Sequence, residues 1–241
     1  MRGCYTVWPA GGLRPTPYGV RPIMNARLII AIDGPSGVGK GTVAREVAAA
    51  LGYRHIDTGA MYRAVAWRAK TDAVSLDDAD ALAALAGRLL IVASGPSVLV
   101  DGVEVSGEIR TPEIDRGASR VARVAGVRAA LVAQQRRLGA GGGVVMEGRD
   151  IGTVVFPSAE VKIYMDASAN ERARRRLNDN VRRESRDAGQ VASEMAARDE
   201  ADRTRAVAPL AMAADAHLID TTALSIPQVV DETLAIVRAA S

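Results

Sequence analysis

The stretch Ala31-Ile32-Asp33-Gly34-Pro35-Ser36-Gly37-Val38-Gly39-Lys40-Gly41-Thr42 decides how this chain folds. A short apolar run ends at Ile32 and predicts a strand, and apolar residues recurring every four positions up to Leu51 predict a helix that begins at about Lys40. Glycines let successive backbone N–H groups turn toward a bound anion, and the positive end of the helix attracts the same anion. This setting predicts a phosphate-binding loop.

The charged group of this loop is Lys40. Lysine occurs only at Lys40, Lys70 and Lys162, although the chain holds 31 lysines and arginines together. A compact ammonium group on a flexible stem suits the outer phosphates of ATP. We therefore predict that Lys40 is catalytic and that ATP is bound by Gly34, Pro35, Ser36, Gly37, Val38, Gly39, Lys40, Gly41 and Thr42.

Two oxygen-bearing side chains beside the loop bear on the Mg²⁺ ion that accompanies ATP. The pattern G-x-x-x-x-G-K-[ST] is missed by one place, because Gly41 follows Lys40 and the hydroxyl arrives at Thr42. Thr42 is a candidate metal-side hydroxyl, with phosphates and water supplying the other ligands. Asp33 either orients such a water or is only a turn residue.

Composition favours one α/β unit. The chain has 241 residues, of which 48% are hydrophobic and only 3% aromatic, so Ala, Val, Leu and Ile must fill the core, as suits helices packed on a mainly parallel sheet. No apolar run approaches the roughly 18 residues of a membrane helix, and the first residues lack the apolar block of a secretion signal. We expect a cytoplasmic protein.

The first half of the chain divides into an extension, a core start and an insert. Residues 1–25 are rich in Pro and Gly without periodicity and are predicted to be disordered. A strand is predicted from Tyr53 to Ile56, followed by a helix from Thr58 through Trp67. A helix-like stretch from Asp77 to Leu90 and a strand-turn-strand signal from Val98 to Val105 suggest an insert.

The core returns in the second half. Buried parallel strands are predicted at Val144–Met146 and Val161–Met165, and a last strand at His217–Ile219. Capping boxes are predicted at Ser168 with Glu171 and at Ser225 with Gln228, each starting a helix. We expect one domain over residues 26–241, with the core at about 26–57, 126–170 and 206–241, an insert at about 58–125 and a lid at about 171–190.

Four further blocks have a common resemblance. They are Asp57-Thr58-Gly59-Ala60-Met61-Tyr62-Arg63, Val105-Ser106-Gly107-Glu108-Ile109-Arg110-Thr111, Gly148-Arg149-Asp150-Ile151-Gly152-Thr153-Val154-Val155-Phe156-Pro157, and Arg198-Asp199-Glu200-Ala201-Asp202-Arg203-Thr204-Arg205-Ala206-Val207-Ala208-Pro209-Leu210. With the phosphate loop, they resemble bacterial cytidylate kinases in order from Leu28 to about Ser241. Nucleoside monophosphate kinases show the same G-K-G-T variant of the loop.

The resemblance implies a three-layer P-loop fold with a nucleoside-monophosphate-binding insert and a mobile lid, and a reaction that converts CMP or dCMP and ATP to a diphosphate and ADP. It implies Mg²⁺ as cofactor. The implied CMP-binding residues are Thr58, Tyr62, Arg63, Ser119, Arg128, Arg149, Asp150, Arg198, Asp202 and Arg205, of which Arg149 and Arg205 are also catalytic. Of these, Ser119, Arg128 and Asp150 would contact the base, Arg198 and Asp202 the sugar, and Arg63 and Arg149 the acceptor phosphate, with Arg205 nearer the phosphates than the sugar.

The chemistry of these residue types agrees with the implied roles. Cytosine presents an amino donor beside two acceptors, so a selective pocket needs an acceptor such as Asp150 and at least one donor. The residues alone leave other interpretations open. Ser119 and Arg128 equally suit a solvated helix, and Arg198 with Asp202 suits a structural ion pair at i,i+4 spacing.

The segment that follows Ser168 is crowded with arginine. It contains Arg172, Arg174, Arg175, Arg176, Arg182 and Arg183, interspersed with acidic residues that argue against a large surface of one sign. A mobile lid that closes over ATP explains the arginines better than a nucleic-acid patch, because phosphoryl transfer needs positive charge and exclusion of water. Which arginine reaches the transferring group is not evident from the pattern.

Two rival functions share parts of these signals. Another small P-loop kinase, such as an adenylate or shikimate kinase, would differ in its acceptor. An ATP-dependent nucleic-acid-binding protein would suit the sequence pI of about 9.3, and its ATP hydrolysis would respond to nucleic acid. We expect a monomer whose partners are ATP and CMP or dCMP, without nucleic acid or membrane.

Overall fold

The structure is a computed structural model that describes residues 27–95, 97–180 and 187–240. The extension predicted at residues 1–25 lies outside the described residues, as do Arg182 and Arg183 of the arginine-rich segment.

Strands and helices alternate along most of the chain. The strands are β1 (Ile29–Asp33), β2 (Arg54–Asp57), β3 (Ile91–Ser94), β4 (Ser97–Val100), β5 (Val103–Glu104), β6 (Val144–Glu147), β7 (Val161–Asp166) and β8 (His217–Asp220). The helices are α1 (Lys40–Leu51), α2 (Thr58–Thr71), α3 (Ala79–Arg88), α4 (Pro112–Val121), α5 (Ala125–Gly139), α6 (Ala169–Asn180), α7 (Ala188–Thr204) and α8 (Ile226–Ala239). A π-helical turn covers Ile151–Val155.

The central sheet is parallel throughout the described residues, with strand order β2-β6-β1-β7-β8. Its middle strands are buried on both faces, as apolar parallel strands require, and Ile30 pairs with Val145 on one side and Val161 on the other. α1 and α8 pack on one face, whereas the π-helical turn and α5 pack on the other. The prediction of a three-layer α/β fold with a mainly parallel sheet is confirmed.

The chain between β2 and β6 builds a second apolar cluster apart from the core. This cluster includes a three-stranded antiparallel sheet, β3-β4-β5, whose last turn has left-handed Asp101 and Gly102. This confirms the predicted strand-turn-strand. Val127 and Leu131 of α5 also enter the cluster, so α5 joins the insert to the core.

Most predicted boundaries hold within a few residues, with two corrections. α2 continues to Thr71 instead of ending near Trp67, and Asp57 caps it by accepting from the Ala60 N–H at 2.9 Å. At α6, Ser168 Oγ accepts from the Glu171 N–H at 3.3 Å, but the reciprocal half of the box was wrong. The Glu171 carboxylate instead accepts hydrogen bonds from arginines of the same helix, and the Ser168 N–H donates to Thr222 Oγ1.

The other predicted capping box starts α8. The Ser225 N–H donates to Gln228 Oε1 at 2.9 Å, and Pro227 occupies the first turn, where its missing N–H costs nothing.

Over the parts of the chain that the structure describes, every helix is too short or too polar to cross a lipid bilayer.

Candidate active site

The phosphate loop runs from Gly34 to Gly39, between the carboxyl end of β1 and the first residue of α1, as predicted. Gly34 has φ 144°, and a Cβ there would lie 2.0 Å from the carbonyl oxygen of Met165. Only glycine therefore lets the loop leave β1 this close to β7. The loop brings Lys40 and the amino end of α1 to the edge of the sheet where ligands of open α/β sheets bind.

Lys40 is almost wholly buried, and its Nζ donates to the carbonyl oxygen of Pro35 at 2.6 Å. Burial and, to a lesser extent, the nearby Arg149 lower the pKa of this ammonium to about 7, although Glu147 and Asp33 act in the opposite direction. A bound anion would place a negative charge beside the Lys40 ammonium and so favour its charged form.

One cleft of about 380 Å³ joins this loop to the residues implied for the acceptor. All ten implied CMP residues line it, namely Thr58, Tyr62, Arg63, Ser119, Arg128, Arg149, Asp150, Arg198, Asp202 and Arg205. From the loop come Ser36, Gly37, Gly39, Lys40, Gly41 and Thr42. Three predicted ATP residues do not line the cleft: Gly34, Pro35 and Val38, the last of which is buried in the core.

At one end of the cleft, Arg128 forms a buried ion pair with Asp150. Its guanidinium lies 5.7 Å from the centre of the Tyr62 ring, and its Nε and Nη1 have no hydrogen-bond partner. The interpretation of Arg128 as part of a solvated helix is therefore wrong, since the side chain is only 3% exposed. Ser119 is half-buried on α4 and also lines the cleft.

Asp150 combines burial with positive neighbours. Arg205 Nη2 lies 3.5 Å from its second oxygen. Burial raises the pKa of Asp150, although Arg128 and Arg205 oppose that rise. Burial also raises the pKa of Tyr62 to about 12, so its phenol stays neutral at physiological pH.

Towards the phosphate loop, the cleft is lined by further arginines. Arg149 Nε donates to Asp202 Oδ2 at 2.9 Å, and Arg205 Nη1 lies 3.7 Å from the other oxygen of Asp202. Asp202 thus pairs with these two residues instead of forming the structural ion pair with Arg198 that its spacing suggested. Buried Nε atoms of Arg198 and Arg63 have no hydrogen-bond partner, a costly arrangement that an anionic ligand would relieve.

The side chains of Thr58 and Asp33 both form hydrogen bonds to the backbone. Thr58 Oγ1 donates to the carbonyl oxygen of Glu147 at 2.7 Å, so its lone pairs remain for a ligand. Asp33 accepts from the N–H groups of Ile151 and Gly152 at 2.8 and 2.7 Å. Burial raises the pKa of Asp33 to about 6. Asp33 therefore holds the turn that carries Arg149 and Asp150, which favours the structural interpretation over a water-orienting one.

The sequence analysis missed Glu147 at the carboxyl end of β6. Its Oε1 lies 3.2 Å from His55 Nε2 and would lie 2.9 Å from a Cβ on Gly41. A side chain at residue 41 would push against this carboxylate, which explains why glycine follows Lys40. His55 is buried, and the sequence analysis did not predict its contact with Glu147. The position of Glu147 at the end of a buried strand was the available signal.

The described arginines of α6 differ in what they contact. Arg172 pairs with Asp199, and Arg174 and Arg175 pair with Glu171. Arg176 lines the cleft and donates to Asp115 of α4 at 2.7 Å. These intramolecular pairs, rather than a free basic surface, account for much of the positive charge.

The sequence analysis also missed other residues of the cleft wall. Besides Glu147 these are Arg45, Asp57, Gly59, Ala118, Ala122 and Gly148. Asp57 accepts from Arg63 Nη2 at 2.8 Å. It thereby orients Arg63, which the resemblance implies as a contact of the acceptor phosphate. Its position just after β2 was again the available signal.

Comparisons of this chain with known proteins agree on one family. A family model described as Cytidylate kinase matches residues 30–239. A cytidylate kinase of Solibacter usitatus is 49% identical over 215 residues, which cover 88% of this chain and 93% of the relative. A cytidylate kinase of Pasteurella multocida is 45% identical over 220 residues, which cover 89% of this chain and 97% of the relative.

A solved structure of an uncharacterized protein from Eubacterium ventriosum has a TM-score of 0.50 at 11% identity. It covers 89% of this chain and 99% of that chain, and the likeness shows the fold alone.

Proposed function

The chain belongs to the cytidylate kinase family, and on that premise we propose that it transfers the γ-phosphoryl group of ATP to CMP or dCMP, giving CDP or dCDP and ADP. The observation that carries the proposal is the single cleft in which the phosphate loop faces a buried carboxylate and several guanidinium groups. Such a cleft offers one place for a triphosphate and another for a nucleotide with an acceptor phosphate.

The donor site is assigned to residues 34–42. Backbone N–H groups of the loop, the amino end of α1 and the Lys40 ammonium would together receive the phosphates of ATP. Burial of Lys40 supports this assignment, because a desolvated ammonium interacts strongly with an incoming anion.

The acceptor phosphate is assigned to Arg63 and Arg149. Arg149 lies close enough to Lys40 to lower its pKa, and this proximity supports a role for both cations beside the transferring group. Arg63 is held by Asp57 at 2.8 Å and keeps a buried Nε for a ligand. Guanidinium groups suit a phosphate dianion because they bind two of its oxygens at once.

The base is assigned to the end of the cleft with Ser119, Arg128 and Asp150. Asp150 would accept from the exocyclic amino group of cytosine, and the unpaired N–H groups of Arg128 would donate to its ring acceptors. Uracil would place a carbonyl oxygen against the Asp150 carboxylate. The sugar is assigned to Arg198 and Asp202, which line the same cleft.

Catalysis in this proposal rests on position and charge. The acceptor oxygen of CMP is anionic at neutral pH, so no general base is needed. Lys40, Arg149 and Arg205 would hold the reacting groups in line and stabilise charge on the transferring phosphoryl group. Asp150 and Asp202 hold the Arg205 guanidinium between them, which limits its freedom.

The donor set suits Mg²⁺ carried in with ATP. Among the described residues, no group of three or more His, Cys, Asp and Glu side chains could hold a metal ion by itself. Thr42 lines the cleft and would contribute one hydroxyl, with phosphate oxygens and water as the other ligands. The ion would neutralise charge on the phosphates, while Asp33 is already occupied by two backbone N–H groups.

The remaining assignments follow from the division of the fold. We assign nucleotide binding to the insert at about residues 58–125 and the lid to about residues 171–190, within one domain that covers 26–241. The whole cleft is lined by one chain, so a monomer suffices for the site. We place the enzyme in the cytoplasm, where ATP and CMP are available, with no nucleic-acid or membrane partner.

The test is a coupled ADP-release assay with ATP and each common nucleoside monophosphate, with shikimate as a further acceptor. We expect turnover with CMP and dCMP well above that with UMP, AMP or GMP. A preference for AMP or shikimate would contradict the proposal. ATP hydrolysis that RNA or DNA stimulates and CMP does not would favour a nucleic-acid-dependent ATPase.

A further inference from the structure

Helix α7 reaches two parts of the active site with neighbouring side chains. Arg198 and Asp202 line the acceptor side of the cleft. Asp199, between them in sequence, instead points to the phosphate loop and is only 1% exposed. The helix therefore bridges the donor and acceptor sites.

Asp199 makes a dense set of contacts with the phosphate loop. One carboxylate oxygen accepts from the Ser36 N–H at 3.1 Å and from Ser36 Oγ at 2.8 Å. The other oxygen pairs with Arg172, whose Nη1 also donates to the carbonyl oxygen of Ser36 at 3.2 Å. Ser36 is thus held at its N–H, its hydroxyl and its carbonyl group by residues of α6 and α7.

The next loop residue is enclosed by the same two helices. A Cβ on Gly37 would lie 2.7 Å from Cε of Met195 on α7 and 3.1 Å from Cβ of Arg172 on α6. Both helices therefore pack closely on the loop at Gly37.

The charge of Asp199 fits a positioning role. Burial opposes its ionisation, but hydrogen bonds from Ser36 and the ion pair with Arg172 outweigh that effect and keep its pKa below the ordinary aspartate value. The carboxylate is therefore ionised at neutral pH and holds the Ser36 N–H by a charge-assisted hydrogen bond. It does not line the cleft and would not contact either nucleotide.

We propose that Asp199 is a positioning residue that couples the two sites: ATP that orders the loop at Ser36 also fixes α7, and so aligns Arg198 and Asp202 for the acceptor nucleotide. ATP and CMP then bind with positive cooperativity. By linkage, each ligand strengthens the binding of the other by the same factor. The inference rests on the proposed placement of ATP on the loop and CMP in the cleft.

The experiment measures the dissociation constant of CMP with and without a saturating non-hydrolysable ATP analogue. We expect the analogue to tighten CMP binding to the wild-type enzyme by at least about fivefold, the lower end of ordinary allosteric coupling. In Asp199→Ala the factor should fall to about one, with the affinity for CMP alone unchanged. Glu200→Ala, an exposed neighbour on the same helix, is the matched control and should keep the wild-type factor.

Two gentler variants test the inference if Asp199→Ala does not fold. Asp199→Asn keeps the shape and loses the charge, and Ser36→Ala removes only the hydroxyl bond, so each should reduce the factor without abolishing it. Wild-type coupling retained in both variants, or absence of coupling in the wild-type enzyme, would overturn the inference. Failure of the proposed function would look different, because CMP or the ATP analogue alone would then not bind.

Discussion

At the scale of single residues, Lys40 and Asp150 show how burial sets the chemistry of the two ends of the cleft. Each is a charged group with little access to water, and each lies beside arginines. Burial disfavours the charged form of both, so the pKa of Lys40 falls and that of Asp150 rises. An anionic ligand beside Lys40, or a hydrogen-bond donor beside Asp150, offsets the free-energy cost of burying these charges.

Binding of ATP should therefore be accompanied by proton uptake at Lys40. With a pKa of about 7, this side chain is mainly neutral at pH 8 in the free enzyme, and the triphosphate favours its charged form. Titration calorimetry at pH 8, in buffers of different ionisation enthalpy, should show net uptake in the wild-type enzyme. Lys40→Arg carries its charge already and should show less. Equal proton uptake by the wild-type enzyme and Lys40→Arg would contradict the lowered pKa of Lys40.

Asp150→Asn should narrow the preference for CMP over UMP. The amide can turn its N–H₂ group toward a uracil carbonyl, whereas Arg128 loses its ion-pair partner in the free enzyme. We expect kcat/KM for CMP to fall by about tenfold to a hundredfold, as for a charge-assisted hydrogen bond of about 1.5–3 kcal/mol, with a smaller loss for UMP. Steady-state kinetics with both acceptors decide this, and unchanged CMP kinetics would remove Asp150 from the site.

At the scale of elements, the carboxyl end of α5 packs closely on the segment that ends the π-helical turn. Gly139 ends α5 against the ring of Phe156, where a Cβ would lie 2.4 Å from Cζ. The absence of a side chain at Gly139 lets the helix approach the Phe156 ring closely.

Gly139→Ala should accordingly destabilise the fold by about 1–3 kcal/mol, because the added methyl group overpacks the contact with Phe156. Gly141→Ala is the matched control, since a Cβ there meets nothing within 4 Å. Chemical denaturation of both variants measures the change in the free energy of unfolding. Equal stability of the two variants would show that α5 can shift without cost.

At the scale of the whole molecule, segments from distant parts of the chain meet around the cleft. Arg176 of α6 reaches across it to Asp115 of α4, and the pair is partly exposed, so its own contribution to stability is small. A weak pair of this kind can be exchanged for a phosphate when ligands bind.

Arg176→Ala should lower kcat by at least about tenfold, because this arginine faces the cleft and would add positive charge near the transferring group. Arg174→Ala is the control. Its side chain is exposed and bonds to Glu171 of the same helix, so its kcat should match the wild-type value. The two variants are compared at saturating ATP and CMP, and equal kcat values would exclude a role for Arg176 in the chemical step.

Local patterns predicted most of the elements. The phosphate loop, the helix from Lys40 and the buried strands at β6 and β7 follow from glycine placement and apolar periodicity, which depend on neighbours in the chain. The resemblance implied that ten residues bind the acceptor, and the structure brings all ten together in one cleft. Their individual roles stay predictions.

What the sequence determined by itself was therefore the α/β class and the position of the phosphate loop, because these depend on short-range patterns. The set of acceptor residues came from the resemblance to a known family. Only the tertiary structure decided which charges meet. Asp199 and Ser36 are 163 positions apart, and Arg149 and Asp202 are 53 apart. Such pairs depend on how α7 packs against the phosphate loop and the cleft, and no periodicity encodes that packing, since the folding of the whole core brings distant segments together.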